Sequence, residues 1–237
     1  HRTEIANGDA VFAVQCVREQ LGRRVWPVHR LDRGTSGVLL FALDAQTASR
    51  LGRIMMAGEV RKRYAALVRG WLDEADDCRH PLSLPEAPYL KKRRGPSAPQ
   101  DARTVFIPRA RAEAPVPCGG FETTRLGLLE AELFTGRRHQ IRRHLKWLSH
   151  PIIGDATYGK GPLNRALAGW FGVERLMLHC TRMALPHPVT GETVDIRAPL
   201  AEGALRAALE RLALLEAFEA LMNAPWAEPP EGMPVLE

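Results

Sequence analysis

One carboxylate, Asp32, stands between two arginines in the run His29-Arg30-Leu31-Asp32-Arg33-Gly34-Thr35-Ser36-Gly37, directly before an apolar stretch. Positive charge on both sides favours the ionised form of an aspartate. An ionised carboxylate can act as nucleophile or base, and the same arginines would gather phosphates. The arrangement serves equally well as an ion pair that pins a turn, so both readings stay open on this run alone. A second run, Gly136-Arg137-Arg138-His139-Gln140-Ile141-Arg142-Arg143-His144-Leu145-Lys146, holds no acidic residue. On a helix, Ile141, Leu145 and Leu148 share one face, while Arg138, Arg142 and Lys146 lie one turn apart on another. Such a ladder is either a solvated face or a contact for nucleic acid.

Other chemistries find little support. His139, His144, His150 and His179 are spaced unlike H-E-x-x-H, and Cys16, Cys78, Cys118 and Cys180 form no close pair, so no metal site is expected. Reduced thiols in a cytoplasmic protein are the expectation for scattered cysteines with no secretory signal ahead of them. There is no glycine-rich phosphate loop and no G-x-S-x-G elbow.

The elements that must carry these residues follow from periodicity. The chain has 237 residues, a net charge of +6 and 45% hydrophobic residues, which suits one sizeable globular domain. No apolar run reaches the roughly 20 residues of a membrane span. The chain begins at His1, so the sequence is expected to start inside a longer protein. Val11, Val14, Val17 and Leu21 predict a helix over 9–22 with Asp9 as N-cap. Val38–Leu43 reads as a buried strand, Asp44 as the cap of a helix through Met56, and Tyr64–Gly70 as a second strand. From 73 to 119 prolines and the basic quartet Lys91-Lys92-Arg93-Arg94 predict a variable insertion of loops and short strands. A strand over 123–133, a helix over about 138–148, and strands at 175–178 and 194–196 follow. Gly203–Met222 reads as one helix, and the later prolines predict a frayed end. This succession, without regular alternation, indicates an α+β protein.

The combination of segments is more specific than any one of them. His29–Gly37 resembles the catalytic signature of the RluA family of pseudouridine synthases. In chain order, Lys62-Arg63-Tyr64-Ala65-Ala66-Leu67-Val68-Arg69-Gly70 resembles its second motif, Gly136–His144 its third, His150-Pro151-Ile152-Ile153-Gly154-Asp155 the following loop, and Arg175–His179 its last core strand. The wording of 123–128, 137–145 and 171–179 is most similar to the TruC branch, which modifies uridine 65 of tRNA.

The resemblance implies a mixed, bent sheet flanked by helices with a central RNA-binding cleft, formed by residues 1–200, with 201–237 as an appended helix and tail. It implies Asp32 as the catalytic residue, Arg142 as its ionic partner, and Tyr64 as the ring that stacks on the target base. Arg30 would enter the RNA helix where the nucleotide has left, and Leu176 or Leu178 would wall the pocket. His29, Arg33, Lys62, Arg138, His139 and Gln140 are expected on the RNA side. No cofactor is implied, and no membrane or protein partner. The substrate expected is tRNA, with ribosomal RNA as the alternative within the family and a non-catalytic RNA-binding protein as the alternative outside it. Members usually begin with a strand before a Lys-Pro-x-Gly segment. Only His1-Arg2 matches its end, so that strand is expected to be missing.

Overall fold

The computed structural model describes residues 12–83 and 98–227; the quartet Lys91–Arg94, Asp9 and the end from 228 lie outside them, whereas 224–227, expected to fray, are held by Arg63 and Glu132. The first helix, α1 (Ala13–Leu21), follows Phe12 and stops at Gly22 in the left-handed conformation. Strands β1 (Trp26–Pro27), β2 (Ser36–Gly37) and β3 (Phe41–Ala42) come next, then α2 (Ala45–Ala57). Asp44 caps α2 by accepting from the Thr47 amide at 2.7 Å, and Leu51 is its buried anchor, as the spacing predicts. The chain continues through β4 (Arg61–Arg69), β5 (Asp76–Cys78), β6 (Thr104–Ala114), β7 (Thr124–Leu133) and α3 (Gln140–Trp147). It ends with α4 (Gly161–Phe171), β8 (Leu178–Pro186), β9 (Thr193–Arg197), α5 (Ala204–Arg211) and α6 (Leu215–Asn223).

Seven strands form one mixed sheet in the order β2-β8-β4-β7-β6-β5, with β9 on β8. The β2–β8 pair is parallel and the remainder antiparallel. The centre is β4, with six consecutive buried residues from Arg63 to Val68. Such a run requires cover on both faces of the sheet. Register decides which face each residue serves. Tyr64 sits opposite Cys180 and Ala66 opposite Leu178, on one face, while Arg63 sits between Glu132 and Arg182 on the other. The second face is covered by α6, which packs on β6 and β7.

Four expectations change. Val38–Leu43 is not one strand: Ser36–Gly37 joins the large sheet, whereas Phe41–Ala42 pairs with Trp26–Pro27 in a separate ribbon. The run is apolar because Val38 and Ala42 are both buried, not because it is continuous. The segment 73–119 contains the 11-residue β6, whose outward Arg109, Arg111 and Glu113 hide its periodicity and whose Pro108 falls at a bulge. The stretch before Arg175 holds the helix α4, and the strand begins at Leu178, not Arg175. The C-terminal stripe is two helices, broken where Ala213 adopts a φ of 55°.

The crossing at Gly37 sets the position of the Asp32 loop. With φ at 109°, a Cβ there would lie 2.1 Å from the Cys180 carbonyl oxygen. Gly37→Ala must therefore push β2 off β8. We expect a loss of about 2 kcal/mol or more, read as a lower denaturant midpoint; an unchanged midpoint would contradict this packing.

Candidate active site

The His29–Gly37 loop reaches the sheet through β2, and the Thr35 amide donates to the Asp32 carbonyl at 2.9 Å, closing a turn around Asp32. Gly34, at φ 84°, passes against Leu176. The Asp32 carboxylate stays partly open, with 20% of its side chain exposed. From α3, Arg142 reaches across 110 positions of sequence to place Nη1 3.2 Å from Asp32 Oδ2.

Arg142 is itself held from behind. Its Nε and Nη2 donate to the two oxygens of Asp155 at 2.7 and 2.8 Å, a bidentate pair. Asp155 is buried, and the amides of Thr157 and Tyr158 each donate to its Oδ1 at 2.9 Å. Burial pushes the Asp155 carboxyl up, but these bonds outweigh it and hold the group below its ordinary value. Burial likewise opposes the charge on Arg142, and the two carboxylates outweigh that in turn. The loop of Asp155 is tied to α4, where Asn164 donates to the Asp155 carbonyl and accepts from the Gly154 amide.

Tyr158 closes the arrangement. Its ring lies 5.0 Å under the Arg142 guanidinium, and its hydroxyl is 3.0 Å from His139 Nδ1. His139 Nε2 faces Asp32 Oδ1 at 3.8 Å. Burial lowers the His139 pKa, partly offset by Asp32. With the proton on Nε2, the Tyr158 hydroxyl donates to Nδ1 and the N–H looks toward Asp32.

On β4, Tyr64 is almost fully buried. Burial first, then Cys180 and Asp32, keep its phenol protonated far above neutral pH. Lys62 is two residues back on the same strand, and burial lowers its pKa. Leu176 and Leu178 are buried at the mouth of β8. These residues, with Asp32, Arg142 and His139, form one cluster. Arg30, Arg33 and Arg138 are exposed around it.

Two expected site residues do other work. Gln140 is buried, and its amide accepts from Thr135 and Arg137 and donates to Arg103 and Thr104; it anchors the start of α3 and has no bonding capacity left for RNA. His29 accepts the Leu40 amide on Nε2 at 3.0 Å. Burial, then Lys62, lower its pKa from 6.5 to about 4. A histidine buried neutral adds stability that is complete above 6.5 and is lost as pH falls toward 4, because only the unfolded chain takes up the proton in that window. The shift corresponds to roughly 3 kcal/mol. Urea melts at pH 7 and pH 4 should show this loss, and His29→Asn should reduce it; an equal loss in the variant would refute the assignment.

This geometry can be set beside known proteins. A sequence profile described as RNA pseudouridylate synthase matches residues 9–147. The tRNA pseudouridine synthase C of Vibrio cholerae serotype O1 is 42% identical over 203 residues, covering 85% of this chain and 83% of that protein. Its counterpart from Salmonella typhi is 44% identical over 203 residues, 85% of this chain and 78% of that protein. The chain belongs to the RNA pseudouridylate synthase family. Two human pseudouridylate synthase domain-containing proteins, numbers 1 and 4, share the fold of this family member. The first has a TM-score of 0.65 at 24% identity, covering 90% of this chain and 85% of that one; the second has 0.60 at 21%, covering 84% and 80%. As a pseudouridine synthase the chain is an isomerase.

Asp155 and Tyr158 were not singled out as site residues from the sequence. The run Gly154-Asp155-Ala156-Thr157-Tyr158 carried the signal, since a carboxylate just after a glycine turn can accept the next free amides. Its link to Arg142 was invisible until the fold joined them.

Proposed function

We propose that this synthase isomerises uridine to pseudouridine in tRNA, at position 65, as a cytoplasmic monomer with Asp32 as the catalytic carboxylate. The observation that carries the reading is the ordered series Asp32, Arg142, Asp155. Two of the guanidinium's donors are consumed by a buried carboxylate, and a third is presented to one that remains open to a ligand. An aspartate that served only to pin a turn would have no need of a partner oriented so fully from behind. The relatives named for tRNA support the choice of RNA.

The reaction balances within the substrate. The bond from N1 to C1′ breaks, the uracil turns, C5 bonds to C1′, and the proton on C5 leaves while N1 gains one. No redox partner or nucleotide is needed. Asp32 serves either by attack at C1′ or by removing the C2′ proton. Arg142 keeps the carboxylate placed, and Tyr64 supplies the ring for the flipped base, against Leu176 and Leu178. Extruding the nucleotide costs a few kcal/mol, offset by phosphate contacts from Lys62, Arg33 and Arg138 and by Arg30 filling the gap in the RNA helix.

The test is tritium release from an unmodified tRNA transcript carrying 5-tritiated uridine. One equivalent is expected per transcript, and none when uridine 65 is replaced by cytidine. Release that persists after the replacement would refute the position. Release only from a ribosomal RNA fragment would overturn the choice of tRNA while keeping the chemistry.

A further inference from the structure

We propose that Trp147, stacked on His80 at the end of α3, is a platform on which an unpaired base of the RNA substrate stacks, outside the pocket of the target uridine. The proposal rests on the RNA-modifying function above. Among the described residues two aromatic side chains are largely exposed, Phe121 at 74% and Trp147 at 63%. Phe121 lies in a tight turn beside Glu122, a poor setting for a polyanion. Trp147 is different in three respects.

It is held in place. The indole lies parallel to the His80 ring, 3.8 Å between centroids and 10° between planes. The His80 carbonyl accepts from Nε2 of the buried His144 at 2.9 Å. With one face of the indole covered and most of the side chain exposed, the opposite face is left to solvent. A planar, immobilised ring with an open face is what base stacking requires, and every base has a matching face.

The segment that carries it is cationic, and Asp77, three residues before His80, is paired with Arg79 and Arg103. Residues 136–150 include Arg137, Arg138, Arg142, Arg143 and Lys146 and no acidic residue. An RNA backbone drawn to that surface would bring its bases to the indole. A partner protein offering an apolar side chain would gain nothing from this charge.

It shares its helix with Arg142 of the catalytic cluster. Trp147 is five residues beyond Arg142, about 7.5 Å along the helix axis. The adjacent Lys146 reaches the Tyr158 ring at 5.9 Å, and Tyr158 leads through His139 to Asp32. The platform therefore stands on the helix of Arg142 but faces away from the pocket, where a nucleotide other than the reacting uridine would meet it.

The experiment measures the affinity of the full chain for an unmodified tRNA transcript over a series of salt concentrations. Stacking and phosphate contacts separate in this design, because losing a phosphate contact lowers the salt slope by about one while losing a stacked base does not. Trp147→Ala should weaken binding about tenfold with the slope unchanged, and Trp147→Phe should restore most of the affinity. On a fully paired RNA duplex of equal length, Trp147→Ala should have no effect. Unchanged affinity for tRNA in the alanine variant overturns the proposal, as does an equal loss on the duplex or a loss that comes with a reduced slope. Trp147 is exposed, so its substitution should leave the thermal midpoint in place, and that is measured alongside. Failure here leaves tritium release intact, whereas failure of the functional reading abolishes release from every variant.

Discussion

Asp32→Asn should bind tRNA within about twofold of the unaltered protein and turn over at least ~10³-fold more slowly. Asparagine keeps the shape of the side chain and can still accept from Arg142 Nη1, which lies 3.2 Å away. What it loses is the charge that either route needs, whether for attack at C1′ or for taking the C2′ proton. Binding is spread over basic groups elsewhere, so affinity is retained. Asp155→Asn tests the same series one step back. The bidentate pair weakens, Arg142 is no longer fixed, and kcat should fall about 10–100-fold with little change in KM, by analogy with other supporting residues that orient a catalytic ligand. Single-turnover tritium release measures both. Equal losses in binding and turnover for Asp32→Asn would mean that the residue only shapes the loop.

The second large effect is expected on stability, from the far side of β4. Arg63 is fully buried, with Nε 2.9 Å from Glu130 and Nη2 2.7 Å from Glu132. It also donates to the carbonyls of Leu221, Ala224 and Pro225. Trp226 lies against the guanidinium groups of Arg61, Arg63 and Arg182 at 4.4–4.7 Å. The Ala227 amide donates back to Glu132. The chain after α6 is thereby clasped to the strand that carries Tyr64 and Lys62 on its other face. Arg63→Met removes the cation that the two buried carboxylates share, leaving Glu132 to Arg61 and Glu130 to Arg109 alone, which should cost about 3 kcal/mol. Against a total stability of roughly 5–15 kcal/mol, this is a severe loss. Pairing it with Glu132→Met should cost less than the sum of the two single changes, since a neutral apolar pair replaces a broken one. Urea unfolding of the three variants decides the point; strict additivity would show that the groups do not act together.

How much of this could be read beforehand depends on where the information lies along the chain. The Asp32 run and the helix of Arg142 are contiguous motifs whose types and spacing are legible, and Tyr64 follows from the family resemblance of 62–70. The strands β4 and β7 announced themselves by apolar runs, and α2 by its Asp44 cap. Elements that face both ways were harder. β6 alternates half-buried residues with exposed Arg109, Arg111 and Glu113, and its pairing partners lie about twenty positions away, in β7. α4 went unread although Pro162 in its first turn and Gly172 in the left-handed conformation mark both ends. The break at Ala213 had no glycine or proline to signal it; packing of α5 and α6 into a common core forces the turn. Arg63 read as one more basic residue in a cationic motif, because nothing local shows that Glu130 and Glu132 stand opposite it. Gln140 was placed with the RNA by its neighbours in sequence, while its partners Arg103 and Thr104 come from a different strand region.

The claim at the centre is that Asp32 makes pseudouridine in tRNA. Site-resolved pseudouridine mapping in cells lacking this gene, by carbodiimide labelling and primer extension, tests it most directly, with complementation by the full-length gene or its Asp32→Asn form. The expected result is a stop at position 65 of tRNA that disappears on deletion and returns only with the unaltered aspartate. A signal restored equally well by Asp32→Asn would contradict the assignment of the carboxylate, and tRNA unchanged by the deletion would contradict the substrate.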